Sequence, residues 1–279
     1  MTQDDVKQDT TPRLPAWGLD QIPYDAVDMA RVSGCDELLY MVAGASFIEI
    51  ASDLYTGNLI QYFDGDAPVV EWLDQHWQHE ELRHGRALRG YVQHAWPEFD
   101  WNTAYDAFFA EYSKLCTVEE FESTRGLEMA ARCVVETGTA TFYRALSERA
   151  TEPVLAGIAA RIGAEEVGHY KHFFRYFRQY SDVERIGRLK VLGALKRRVL
   201  EARQSDAECA LWYAYSTHVG ARANKAEFKM LCKQLGRELR PLYPVSMAVK
   251  MVLKPLNLPS GVSRAIQMPL AVASSWLIR

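Results

Sequence analysis

None of the five cysteines (Cys35, Cys116, Cys133, Cys209, Cys232) forms a Cys-x-x-Cys pair, which removes structural zinc and thioredoxin-type redox sites from consideration. An odd, scattered set of thiols fits a reducing compartment, so the expected location is cytoplasmic. No run of 18 or more apolar residues occurs, and no bilayer-spanning helix is expected. The opening MTQDDVKQDTTPRLP is polar and acidic, without the apolar core of a signal peptide or the Arg-rich character of a transit peptide. Strand alternation and Asn-Gly turns are nearly missing, and glycine and proline fall between long segments rather than within them. Acidic residues stop at Glu238.

That last absence belongs to a wider asymmetry. Residues 1–182 hold 30 acids and 15 bases, net −15, whereas residues 183–279 hold 6 acids and 17 bases, net +11. The whole chain is close to neutral at −4. A basic C-terminal third points to an anionic partner, such as nucleic acid, anionic lipid or an acidic carrier protein. With 279 residues and 48% hydrophobic content, the chain can bury a substantial core as one large domain or two small ones.

Punctuation in the sequence predicts an all-α fold. A first long helix runs from Cys35 to Phe63 and stops at Asp64-Gly65-Asp66. A second starts near Pro68, a favoured first-turn residue, and ends before Pro97. A short helix covers 102–115. Thr117 with Glu120 reads as a capping box opening a third long helix to about Ala150. Glu152-Pro153 opens a fourth, ending near Tyr180. Ser181 with Glu184 and Ser205 with Glu208 read as further boxes opening C-terminal helices. The expected division is an arm over 1–35, four long helices over 36–180, and a basic helical extension over 181–279 packed on them.

Two Glu-x-x-His motifs carry the chemistry: Glu81 with His84 on the second long helix and Glu166 with His169 on the fourth. An i,i+3 pair shares a helix face, so carboxylate and imidazole can converge on one ion. With 21 glutamates and 7 histidines, chance alone delivers about half of one such pair. Spacing strengthens the signal. In an antiparallel hairpin, residues equally far from the turn lie level. Reflected about Gly65, Glu81 meets Glu49; reflected about Thr151, Glu166 meets Glu136. At about 1.5 Å per residue, both levels lie about 22–24 Å from their turns. Glu49 (GASFIEIASDL) and Glu136 (RCVVETGTATF) sit in apolar surroundings, where an uncompensated carboxylate is very costly. Glu, Glu-x-x-His, Glu, Glu-x-x-His on successive helices is the pattern of dinuclear carboxylate sites in ferritin-like four-helix bundles. Its donors suit iron or manganese. His79 and His84 mimic HExxH, but they are five apart and face different ways. Asp53 and Glu128 miss the equal-height test and are expected to be solvated or to stand directly behind the ligands. Surface positions are expected for His76, His79 and His172.

The same helices resemble a family. Trp77-x-x-Glu80-Glu81-x-Arg83-His84-Gly85-x-x-Leu88-x-x-Tyr91 is similar to the first ligand helix of soluble acyl-ACP desaturases. LAGIAARIGAEEVGHYKHF resembles their second, although Gly168 stands where that family carries arginine. The resemblance spans roughly residues 36–180. It implies a ferritin-like four-helix bundle holding two iron ions, with manganese as the alternative metal. Glu49 and Glu136 would be terminal ligands, Glu81 and Glu166 bridging ones, and His84 and His169 would complete one ion each. Glu80 and Glu165 would orient the imidazoles. Thr139, three residues after Glu136, matches an active-site threonine; the other reading is a hydroxyl bonded to its own helix backbone.

Two metals about 3.5–4 Å apart can share the electrons that split dioxygen, chemistry no side chain performs. The implied activity is an O2-dependent desaturase or oxygenase attacking an unactivated C–H bond of a fatty acyl or similar lipid-like substrate, free or on an acyl carrier. An electron-transfer protein such as a ferredoxin would supply electrons. A hydroxylase or aldehyde-deformylating oxygenase on another substrate, and a ferroxidase-like iron protein, are the alternatives. Rubrerythrin-type proteins are excluded by the missing Cys-x-x-Cys pairs, and a radical-tyrosine reductase subunit by Leu88. The tail PLYPVSMAVKMVLKPLNLPSGVSRAIQMPLAVASSWLIR is acid-free. It reads either as a core-packing helix with a basic rim or as a contact with the inner membrane surface. Aromatic-basic interleaving is sparse, which disfavours nucleic acid. A homodimer is a further candidate assembly.

Overall fold

The computed structural model describes residues 17–114, 116, 121–201 and 206–277, and no strand forms among them. After two 3₁₀ turns come α1 (Met29–Val32) and the long α2 (Asp36–Tyr62). The chain turns at Gly65, whose φ of 87° suits glycine. It then enters α3 (Ala67–Trp72), where Asp66 accepts a hydrogen bond from the Val69 amide. A π-helical turn, Leu73–Trp77, runs directly into α4 (Gln78–Ala95). Next comes α5 (Trp101–Tyr112), capped by Asp100 accepting from the Thr103 amide at 3.0 Å.

The third long helix, α6 (Arg125–Arg149), begins later than the sequence suggests. Thr124 is its cap, accepting from the Leu127 amide, and the Thr117–Glu120 box lies outside the described residues. Both carboxylate oxygens of Glu152 accept from the amides of Val154 and Leu155, at 3.1 and 2.9 Å, and open α7 (Pro153–Glu184). The expected box at Ser181 and Glu184 does not form. Both residues lie inside α7, which stops only where Arg185 turns left-handed, at φ 54°. The acceptor role of Glu184 goes elsewhere, to the Gly126 amide at 3.1 Å. Five further helices follow: α8 (Arg188–Glu201), α9 (Asp206–Val219), α10 (Lys225–Leu239), α11 (Val245–Leu253) and α12 (Ser260–Leu277). Ser205, the residue expected to cap α9, is outside the described residues.

Two antiparallel hairpins form the centre. In one, α2 lies against α3, the π turn and α4, with Asp53 accepting from Gln78 and Ile50 lying beside Gly85. In the other, α6 lies against α7: Ser147 bonds the Ala156 carbonyl, Tyr143 abuts Gly163, and Thr139 reaches Glu166. The hairpins face each other through Tyr143 and Glu49 on one side and through the α4–α7 contact on the other. Despite its apolar length, α2 is a core helix, with Phe47, Val42 and Leu59 wholly buried.

The flanking segments are bound to this centre. Trp17 is buried, and the Tyr24 hydroxyl donates to the Ala87 carbonyl at 3.0 Å, so residues 17–28 wrap over α4. At the other end, α9 approaches α2 so closely that a Cβ on Gly44 would sit 3.4 Å from the α9 backbone. Arg149 pairs with Glu238 of α10, and the Tyr170 hydroxyl donates to the Met251 carbonyl of α11. No disulfide joins any of the five cysteines.

Gly85 sets the α2–α4 distance. A Cβ there would fall 2.5 Å from Ile50 Cγ1 and 2.9 Å from the Ile50 amide nitrogen. Gly85→Ala is therefore expected to destabilise the protein by about 1–3 kcal/mol through overpacking. Gly138, exposed on α6 with open space around it, is the control. Gly138→Ala should stabilise by about 0.5–1 kcal/mol. Denaturant melts of both variants check the pair; equal effects would contradict the close crossing.

Candidate metal centre

The four long helical segments bring six ionisable side chains to one level. Glu49 comes from α2, Glu81 and His84 from α4, Glu136 from α6, and Glu166 and His169 from α7. All six are buried. They divide into two quartets: Glu49, Glu81, His84 and Glu166, and Glu81, Glu136, Glu166 and His169. Within each quartet the potential ligand atoms lie within 4.8 Å of one another. Glu81 and Glu166 belong to both. His84 Nδ1 lies 3.1 Å from Glu166 and 3.6 Å from Glu49. His169 Nδ1 lies 3.0 Å from Glu81, 3.6 Å from Glu166 and 3.7 Å from Glu136.

A second layer fixes the imidazoles, and it does so crosswise. His84 of α4 places Nε2 2.8 Å from Glu165 of α7. His169 of α7 places Nε2 2.8 Å from Glu80 of α4. Each carboxylate thus leaves the Nδ1 of the opposite helix's histidine aimed at the cluster, the outer-partner arrangement usual for metal-bound histidine. Arg83 donates to both oxygens of Glu165, at 2.8 and 2.9 Å, and restrains it. Trp17 stacks parallel to His84 with centroids 6.3 Å apart, and Trp77 meets His169 edge-on at 6.4 Å. These indoles shield the outer imidazole faces from water.

The π turn lies one turn before the ligands. Such turns add a residue to the helical cycle and are frequent at functional sites. Here it ends at Trp77 and precedes Glu81 and His84, all three of which face inward.

Electrostatics show what the cluster demands. Burial pushes the Glu81 carboxyl well above the usual carboxylate range, and the neighbouring Glu166 and Glu49 charges act in the same direction. Burial also lifts Glu136, to about 7. For His84 and His169, burial opposes the charged form. Contacts with Glu165, Glu166 and Glu49 outweigh it on the first, and contacts with Glu136, Glu166, Glu80 and Glu81 outweigh it on the second. Both imidazoles are held well above their ordinary value. Glu166 is held well below its own, because the two histidines outweigh its burial. Without cations, the cluster gathers protons to offset four buried carboxylates. Divalent ions would displace those protons.

The donor atoms fit such ions. Glu49 Oε2, Glu81 Oε1, Glu166 Oε1, His84 Nδ1 and His169 Nδ1 are buried and make no hydrogen bond. Orphaned polar atoms of this kind are costly and rare. Here five of them share one cluster, in the two quartets that a pair of ions would join. Two divalent charges would balance four carboxylates, while Arg83, 2.8 Å from Glu165 and 4.0 Å from Glu80, stands against the outer pair. A thiol-free set of carboxylates and imidazoles suits iron or manganese.

Around these six, the other sequence candidates separate. Thr139 makes the bond to its own helix backbone, 3.2 Å from the Glu136 carbonyl, and its hydroxyl also lies 2.8 Å from Glu166 Oε2. Asp53, His76 and His79 are exposed, outside the cluster. His172 is half-buried and stacks on Trp72 at 4.9 Å, which corrects its expected surface position. Glu128 is fully buried; it accepts from the Glu122 amide at 2.9 Å and lies 3.7 Å from Arg198. Its burial serves the segment before α6.

Two neighbours were not singled out from sequence. The buried Tyr143 hydroxyl donates to Glu49 Oε1, leaving only Oε2 of that carboxylate free. Arg132 lies buried over the Tyr55 ring, 4.5 Å from its centroid. Both fall on a stripe with Glu136 and Thr139, spaced four, three and four residues apart. Helical periodicity from Glu136 could have found them.

Comparison of the chain with protein-family models and with curated proteins finds no match. What is established is an all-helical protein with a buried glutamate–histidine cluster able to hold metal.

Metal analysis after equilibrium dialysis should find about two divalent ions per chain. Glu49→Ala, which touches one quartet, should leave about one, and Glu166→Ala, which touches both, should lose the pair. Glu80→Gln and Glu165→Gln should each weaken affinity by about 10–100-fold. Full metal retention in Glu166→Ala would contradict the shared-ligand arrangement. Chelation should also lower the melting temperature of the wild type and leave that of Glu166→Ala nearly unchanged.

Proposed function

We propose that the protein is a dinuclear-iron, O2-dependent oxidoreductase built on a ferritin-like four-helix bundle, of the desaturase or oxygenase type. Its substrate class is a fatty acyl or similar lipid-like chain, attacked at an unactivated C–H bond. One observation carries the reading: two buried quartets of carboxylate and imidazole share Glu81 and Glu166. Sharing would set two ions side by side, which a storage or structural site for a single ion does not require. Iron would be held by Glu49, Glu81, His84, Glu136, Glu166 and His169, with manganese the other metal that this donor set suits. When bound, such a pair supplies dioxygen activation.

The protein's own groups prepare that chemistry. Glu165 and Glu80 hold the imidazoles in one orientation, and Tyr143 holds Glu49 to a single free oxygen. Trp17 and Trp77 keep water from the imidazole faces. The Thr139 hydroxyl, 2.8 Å from Glu166, can hold or pass a proton at that oxygen. A redox protein of the ferredoxin kind would deliver electrons.

A second reading, a ferroxidase-like iron protein, is favoured by how closed the site is. Two surface clefts, one lined by Pro97, Phe99 and Trp101 and the other by Phe174, Arg178 and Lys254, both lie away from the cluster. A hydroxylase or deformylating oxygenase would use the same ligands.

The test is oxygen uptake by chemically reduced, iron-loaded protein, followed by mass spectrometry of lipid extracts incubated with it. Oxygen uptake with a new unsaturated, hydroxylated or chain-shortened lipid supports the proposal. Uptake that merely oxidises iron, with every lipid unchanged, selects the ferroxidase reading. Thr139→Ala should retain both irons and lower product formation by about tenfold or more if its hydroxyl handles a proton; unchanged turnover would reduce Thr139 to a helix-bonded residue.

A further inference from the structure

The most exposed apolar side chains lie far from the metal level, at the corner where α7 ends and α8 begins. Val183 is 81% exposed and Leu189 83%, and Leu192 continues the same outer face of α8 one turn on. The opposite face of α8, Val191, Ala194 and Leu195, is the one buried against α6. So α8 is apolar on both sides, and one side has no protein to cover it among the described residues.

At the same corner, on the side of Val191, opens a cleft lined by Arg178, Arg188 and Lys254, with Asp182 the one carboxylate on its wall. Arg188 donates to the Asn257 carbonyl at 2.9 Å, tying the start of α8 to the turn that leads into α12. That helix has 18 residues, no acid, and no residue buried among those described. It packs on α11, and Met268 on it is 75% exposed. Exposed apolar side chains next to clustered cations mark an interaction surface.

We propose that this corner and α12 together form a docking surface for an anionic lipid bilayer. Val183, Leu189 and Met268 enter the boundary between headgroups and acyl chains, and Arg178, Arg188 and Lys254 meet lipid phosphates. Charge complementarity selects this occupant. Residues 239–279 contain no acid at all, so a second copy of the chain docking through this same surface would bring cations against cations. Interfacial helices combine an apolar face with basic flanks in this way. Because the corner shares no residue with the six ligands, the proposal stands independently of the metal assignment.

Vesicle sedimentation with the full-length protein tests it, using phosphatidylcholine alone and phosphatidylcholine mixed with phosphatidylglycerol. Binding is expected to the mixed vesicles only, weakening at high salt. Leu189→Asp and Met268→Asp are both at exposed positions. Each should keep the wild-type circular dichroism and melting point and lower vesicle binding by about tenfold. Equal sedimentation with neutral and anionic vesicles, or none with either, overturns the proposal, as does undiminished binding by both variants. A dimer in solution that Leu189→Asp dissociates, without vesicle binding, would overturn it in favour of a second copy.

Discussion

Glu81 and Glu166 face each other across the two hairpins, both buried and both within reach of each half of the cluster. Neither carboxylate tolerates that position alone, since an isolated buried charge is among the most expensive states a protein can hold. Their neighbours follow from this. Histidines close on them from α4 and α7, arginines stand behind, and five donor atoms remain unsatisfied. Close packing at Gly85, the π turn and the Trp17 arm all bring groups to this level. Hydrophobic burial alone would place no carboxylate there.

Much of this was legible in the sequence because helical geometry is one-dimensional. The i,i+3 spacing of Glu81 with His84 and of Glu166 with His169 fixes a shared face. Equal distance from a turn fixes height, and those two facts select Glu49 and Glu136 from 21 glutamates. The end of α2 and the start of α7 were readable from local signals, Asp64-Gly65-Asp66 at the one and Glu152-Pro153 at the other. Glu80 and Glu165 were legible as outer partners. Their crosswise assignment was not, since it depends on how two helices from different hairpins approach each other.

What escaped the sequence reading has physical causes too. Ser181 and Glu184 satisfy the capping-box pattern, but the α7 backbone continues through them, and the Glu184 carboxylate caps Gly126 on α6 instead. Tertiary demand overrode a local preference. Glu128 failed the equal-height test and was expected to be solvated or to stand behind the ligands, yet it is buried against the Glu122 amide and Arg198. Trp17 carries no local signal at all. Only the folded path of the arm brings it onto His84.

The crosswise pairing of Glu80 with His169 and of Glu165 with His84 has a consequence for how this chain can vary. Each hairpin carries the part that aligns its counterpart, so α4 and α7 are locked like two combs with meshed teeth. A single residue inserted into either helix ahead of its motif rotates one set of teeth by about 100° and disengages both histidines at once. Insertions in the connections between the helices leave the mesh intact. Length variation among any descendants of this sequence should therefore gather in its turns and in the segments outside the four rods.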